Sequence, residues 1–185
     1  MKRAAFTIGE YKIPAGQRQT VELPVARLYT HTEMALTVHV VHGKRPGPTL
    51  FVSAALHGDE INGVEIIRRL LKRKYLTGLK GTLIAIPIVN GFGFIHQSRY
   101  FPDRRDLNRM FPGAVTGSLA SRIANLFMTE VASRCSHGID LHTGSNHRFN
   151  LPQVRADLKD SETARLAEDF GAPVIINAKT RDGSL

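Results

Sequence analysis

The feature that most constrains this chain is a short, almost continuously apolar run, Thr49 to Leu56, that leads straight into His57-Gly58-Asp59-Glu60. An apolar run of this length suits a strand covered on both faces. It follows the turn formers Arg45-Pro46-Gly47-Pro48 and precedes Asn62-x-x-Glu65, which has the form of a helix-opening capping box. Val64, Ile67 and Leu71, with Ile66 and Leu70 beside them, then keep a helical stripe as far as Thr77-Gly78. A buried strand passing directly into a helix is the unit from which parallel sheets are built.

The same alternation continues. Thr82 to Val89 reads as a second buried strand, Ser118 to Arg134 as a helix striped by Leu119, Ile123, Phe127 and Val131, and Gly138 to His142 as a third strand. A helix from Ser161 to Phe170 and a strand from Pro173 to Asn177 follow. Residues 1–45 carry β-like runs, Val21 to Tyr29 and Ala35 to Val41, without a helical period. The expected fold is α/β: a three-layer αβα arrangement on a mainly parallel sheet (residues 46–185), with residues 1–45 as a β-rich segment packed against it. Such sheets bind ligands beyond the carboxyl ends of their strands, where His57 and His142 both fall. Gly91 to Gly117 is too long for a simple connection and reads as a functional loop.

His57 and Glu60 stand three residues apart where strand turns into helix, and Gly58 gives that turn backbone freedom. One imidazole and one carboxylate aimed at a single point can hold a metal. A third ligand from a distant strand end leaves the fourth tetrahedral position of zinc open, as catalysis requires. His142, in Ile139-Asp140-Leu141-His142-Thr143-Gly144, is the best candidate. Asp140 lies two residues earlier, on the same strand face. His96, His137, His147 and Asp59 are left out of the metal shell, because three protein ligands suffice.

Leu56-His57-Gly58-Asp59-Glu60, Ser98-Arg99-Tyr100, Asp106-Leu107-Asn108-Arg109 and Asp140-Leu141-His142 occur in this order. In these motifs the chain resembles the succinylglutamate desuccinylase and aspartoacylase branch of the zinc carboxypeptidase superfamily, over roughly residues 45 to 185. The resemblance implies one zinc per chain on His57, Glu60 and His142, and Arg99 polarising the scissile carbonyl. It also implies a substrate carboxylate on Asn108 and Arg109, and Asp106 behind a ligand imidazole, a role for which Asp140 competes. Guanidinium groups suit both tasks, as a planar fork for a carboxylate and as a stabiliser of a developing oxyanion. The family also carries a general-base glutamate on a strand well beyond the third ligand. The later carboxylates here, Asp157, Asp160, Glu162, Glu168, Asp169 and Asp182, close no buried strand. The chain therefore reads as C-terminally truncated, able to build the metal site and lacking the base.

The implied activity is zinc-dependent hydrolysis of the amide bond of a small acidic N-acyl amino acid. The alternatives are a zinc carboxypeptidase acting on peptides and a non-catalytic metal-binding or anion-binding module. A net charge of +9 does not choose among anionic partners, and the cluster from Arg68 to Lys74 reads as a solvated helix end, so nucleic acid is not expected. No stretch approaches the ~20 apolar residues of a membrane span, and no targeting sequence is read at the start. The single cysteine, Cys135, forms no internal disulfide, so a reducing cytoplasm is expected. A homo-oligomer is left open.

Overall fold

A computed structural model describes residues 3–185; Met1 and Lys2, part of the start inspected for a targeting signal, lie outside them. The element on which the fold is built is β5 (Arg45–Ala54), buried over its last four residues. On one side it pairs in parallel with β6 (Lys80–Ile86), and on the other in parallel with β7 (His137–Leu141). Beyond β6 come β4 (Glu33–His42) and then β3 (Gln17–Arg27), both antiparallel to their neighbours. The order among the described residues is β3-β4-β6-β5-β7.

This corrects the expectation of a mainly parallel sheet: it is mixed, with two parallel and two antiparallel pairings. The sequence reason is visible in retrospect. Residues 17–42 alternate between the sheet's two faces, as in Val21 and Leu23 or Leu36, Val38 and Val40, and so form a hairpin whose second strand extends the sheet at β6. The β-like runs near the amino terminus thus belong to the main sheet. Ahead of them is a small hairpin, β1 (Phe6–Ile8) with β2 (Tyr11–Ile13), turned at Gly9 with φ of 52°. Its Ile8 and Ile13 are fully buried.

Apolar layers cover both faces of the sheet. On one, α1 (Asn62–Leu71) packs through Ile67 against Val41, Val52, Ala54, Leu83 and Ala85. It sits close because residue 63 is glycine: a Cβ there would lie 2.7 Å from that of Ala54 and 2.9 Å from that of Leu141. The capping box does not form as expected. The residue before the helix is Ile61, no side chain caps it, and Glu65 instead pairs with Arg68 and Arg69. On the other face α3 (Leu119–Leu126) continues through a π-helical turn at Phe127–Val131 and a 3-10 turn to Arg134. Thr129 and Ser133 hydroxyls donate back to Asn125 and Thr129 carbonyls, a pattern that bends helices. Phe127 is fully buried, edge-on to Phe51 and Phe111.

The segment after β6 contains α2 (Gly91–His96), capped by Asn90, whose Oδ1 accepts from the Gly93 N–H at 2.8 Å. After β7, a separate parallel pair, β8 (Gln153–Ala156) and β9 (Val174–Asn177), flanks α4 (Ser161–Phe170). Asp160 caps α4 and Gly171 ends it in the left-handed conformation, φ 73°. No helix among the described residues is long and apolar enough to cross a membrane.

Candidate metal centre

The ends of β5 and β7 lie side by side because the register pairs Ser53 with Asp140 and Ala54 with Leu141. The two chains leave the sheet together, carrying His57 in the turn after β5 and His142 directly after β7. Their rings come to a centroid separation of 4.9 Å. Glu60, at the end of the same turn as His57, is buried between them. One carboxylate oxygen lies 2.8 Å from His57 Nδ1 and the other 2.8 Å from His142 Nδ1.

The residue at position 58 has to be glycine for a reason other than backbone freedom. A Cβ there would stand 1.9 Å from the carbonyl carbon of Gly93. The turn is pressed against the start of α2, and Gly58 N–H donates to the Ser98 carbonyl at 3.0 Å. That bond ties the turn bearing two candidate ligands to the segment bearing Arg99.

Carboxylates stand behind both imidazoles. Asp106 Oδ1 is 3.1 Å from His57 Nε2, and Asp140 Oδ2 is 2.6 Å from His142 Nε2. Both carboxylates proposed from the sequence to compete for one role are therefore in place, each facing a different histidine. Asp106 also caps the 3-10 turn Leu107–Arg109, accepting from Asn108 N–H at 2.9 Å, and its Oδ2 accepts from Arg99 Nε and Nη2. The third guanidinium nitrogen, Nη1, reaches Ser145 Oγ at 2.8 Å and lies 3.4 Å from Glu60 Oε1.

The electrostatics follow from these contacts. Burial opposes the charge of Glu60, but hydrogen bonds from His142, His57 and Ser145 outweigh it and hold the carboxyl well below its usual range. Burial likewise opposes the charge of Asp106, while His57, Arg99 and the Asn108 N–H lower its pKa on balance. For His142 burial disfavours the imidazolium, but Asp140 and Glu60 overcome it and raise the pKa to about 10. The cluster thus sets three carboxylates against two imidazoles and one guanidinium.

The donor set fits a metal ion. The ligand atoms of His57, Glu60 and His142 all lie within 4.8 Å of one another. Donors around a tetrahedral zinc with bonds of ~2.0–2.2 Å stand about 3.3–3.6 Å apart, so small side-chain shifts suffice.

Compared with known proteins, residues 46–184 match the model of the succinylglutamate desuccinylase/aspartoacylase catalytic domain. The chain belongs to this family. A curated relative, the N-alpha-acetyl-L-2,4-diaminobutyric acid deacetylase of Halomonas elongata, is 27% identical over 90% of the chain and 51% of its own length. Among solved structures, a succinylglutamate desuccinylase/aspartoacylase from Rhodobacter sphaeroides superposes with a TM-score of 0.78 at 26% identity, covering 86% of this chain and 52% of that one. A metallo-carboxypeptidase from Burkholderia cenocepacia shares the fold, with a TM-score of 0.68 at 15% identity over 87% of this chain and 49% of that one. The chain thus spans about half the length of the relatives it matches.

Within this family member, His57, Glu60, His142, Arg99, Asp106 and Asp140 come together in one cluster. Asn108 and Arg109 sit on the adjoining 3-10 turn with their contacts directed elsewhere. Asn108 Oδ1 accepts from Leu185 N–H at 3.0 Å, and the exposed Arg109 donates to the Asn108 carbonyl.

Sequence reasoning missed the loop after His142. Thr143 N–H donates to Glu60 Oε2 at 2.9 Å, Ser145 Oγ donates to Glu60 Oε1 at 2.7 Å, and Asn146 N–H donates to Asp59 Oδ2 at 3.0 Å. The signal was present in Thr143-Gly144-Ser145-Asn146, a run of small polar turn formers beside a ligand. Asn146 and His147 both have positive φ, which folds this loop back over the site.

Proposed function

We propose that this chain carries the zinc-binding machinery of an amidohydrolase that cleaves small N-acyl amino acids into a carboxylic acid and an amine. The observation that carries the reading is the convergence of His57, Glu60 and His142, with a carboxylate behind each imidazole, at the ends of adjacent parallel strands. Zinc is preferred because two imidazoles and one carboxylate leave its fourth tetrahedral position for substrate or water. The relatives support the substrate class, since the Halomonas elongata protein is named for deacetylating an N-acetyl amino acid.

When bound, the zinc supplies a Lewis acid for the scissile carbonyl. Asp106 and Asp140 fix the two imidazoles so that each Nδ1 faces the Glu60 side. Arg99, anchored through Nε and Nη2, directs Nη1 toward the ligand cluster, where it stabilises the negative charge that develops on the carbonyl oxygen. Arg109, exposed on the neighbouring turn, takes the substrate carboxylate, with Asn108 beside it. Glu60 and Asp106 have both oxygens engaged and Asp140 is shared between Ser53 and His142. We assign the general-base role to none of them. A reducing compartment such as the cytoplasm is the reading for a chain whose single cysteine, Cys135, has no partner for an internal disulfide.

Elemental analysis of the purified protein, alone and after addition of zinc, tests the reading. One zinc per chain is expected, and its loss in His57→Ala and His142→Ala variants that remain folded. Zinc-dependent release of amine from N-acetyl and N-succinyl amino acids should follow. A folded wild type that takes up no zinc overturns the metal site, and release of carboxy-terminal residues from peptides instead overturns the substrate class.

A further inference from the structure

Ser53 lies on β5, four residues before His57, and is fully buried. In the parallel register it stands directly opposite Asp140 on β7, so the two side chains project from the same face of the sheet. Its hydroxyl donates to Asp140 Oδ1 at 2.7 Å. The other oxygen, Oδ2, is the one 2.6 Å from His142 Nε2. One carboxylate is thereby held by a serine on one strand and faces an imidazole at the end of the next.

A carboxylate with one contact can rotate about its Cβ–Cγ bond; one pinned at Oδ1 presents Oδ2 in a fixed direction. An imidazole whose Nε2 faces a carboxylate keeps its proton there and leaves Nδ1 as the lone-pair donor. His142 Nδ1 is the atom on the Glu60 side. Ser53 is buried because β5 is covered on both faces, and it is the one hydroxyl in the apolar end of that strand, Leu50 to Ala54. A valine or alanine would satisfy the packing there, so the hydroxyl needs another reason.

We propose that Ser53 is a positioning residue for the metal ligand His142, acting through Asp140 to fix the tautomer and direction of the imidazole. The inference rests on the metal-site reading above. It assigns Ser53 no contact with metal or substrate, and it predicts that the effect of losing the hydroxyl is confined to His142 and not shared by His57, whose partner is Asp106.

The test uses the full chain with zinc as the probe. Zinc affinity is measured by competition with a chromophoric chelator for the wild type, Ser53→Ala and Ser53→Thr, and ring-nitrogen tautomers are read from long-range 15N–1H correlations of the zinc-loaded proteins. Ser53→Ala is expected to weaken zinc about tenfold, at the low end of what loss of an outer partner costs. The Nε2–H signature of His142 should change while that of His57 does not, and Ser53→Thr should recover the affinity. Unchanged affinity and an unchanged His142 signature in Ser53→Ala overturn the proposal, as does an equal change at both histidines, which would report general loosening. If the wild type itself fails to bind zinc, the underlying metal-site reading falls instead. Should Ser53→Thr not fold, the comparison of the two histidines in Ser53→Ala still decides.

Discussion

Asp106 holds three partners of the site in place. It accepts from the Asn108 backbone and faces His57 Nε2 through one oxygen, and it accepts two guanidinium bonds from Arg99 through the other. Replacing it with asparagine keeps the shape and removes the charge that both partners need. Asp106→Asn is expected to lower zinc affinity about 10- to 100-fold, as measured by chelator competition, with His142→Ala abolishing binding as the reference. An affinity equal to the wild type would show that His57 needs no partner there. The candidate ligands could be picked out in the sequence only through the conjunction of several motifs in one order, because an imidazole or a carboxylate at a strand end is by itself a weak signal. The pairing of Asp106 with His57 and Asp140 with His142 was not legible. Both aspartates satisfy the same chemical rule, and only the three-dimensional path of residues 97–106 decides which ring each one meets.

At the scale of elements, the site depends on how closely the turn 57–60 approaches α2. The nearest atoms to a Cβ at residue 58 are backbone atoms of Gly93 and Phe94, which cannot rotate away. Gly58→Ala is therefore expected to destabilise the protein by about 3 kcal/mol, the upper range of overpacking, with a parallel loss of zinc binding. Gly78→Ala is the control: nothing lies within 4 Å of a Cβ there, and a change of no more than about 0.5 kcal/mol is expected. Urea unfolding of the three proteins checks both, and equal midpoints would remove the packing argument. The elements with a clear apolar run or stripe, β5, β6, α1, α4 and the helical run from Leu119 to Arg134, were readable from sequence, although β5 begins at Arg45 inside the expected turn and α1 stops at Leu71, short of Thr77-Gly78. The antiparallel half of the sheet was underread. Nothing local to residues 17–42 says that their hairpin docks at β6 rather than standing apart, since that choice is made by a strand forty residues later. The small hairpin at Phe6–Ile13 escaped because three-residue strands are too short to show a period.

For the whole molecule, the charges of the cluster make stability fall toward alkaline pH without metal, and metal removes that fall. In the metal-free protein the carboxylates of Asp140 and Glu60 outweigh burial and raise His142 from 6.5 to about 10. A raised pKa contributes stability that is complete below 6.5 and is lost as pH climbs through about 10. Glu60 and Asp106 are shifted down from 4.5 and 3.8, so their contribution is present above those values and disappears as the medium is acidified. Glu60 and His142 report one shared ion pair, and its stabilisation is counted once. Metal-free protein should accordingly be most stable between about pH 4.5 and 6.5 and should soften steadily toward pH 10. Zinc cancels the alkaline limb. His142 must give up a proton to bind, so between pH 6.5 and 8.5 the apparent affinity should rise by up to about tenfold per unit, equivalent to at most about 1.4 kcal/mol of added stability per unit under excess zinc. Thermal unfolding across this range, with zinc and with chelator, should therefore give two curves that diverge as pH increases. Parallel curves would mean that metal uptake displaces no proton from His142, and that the imidazole facing Asp140 is not a ligand.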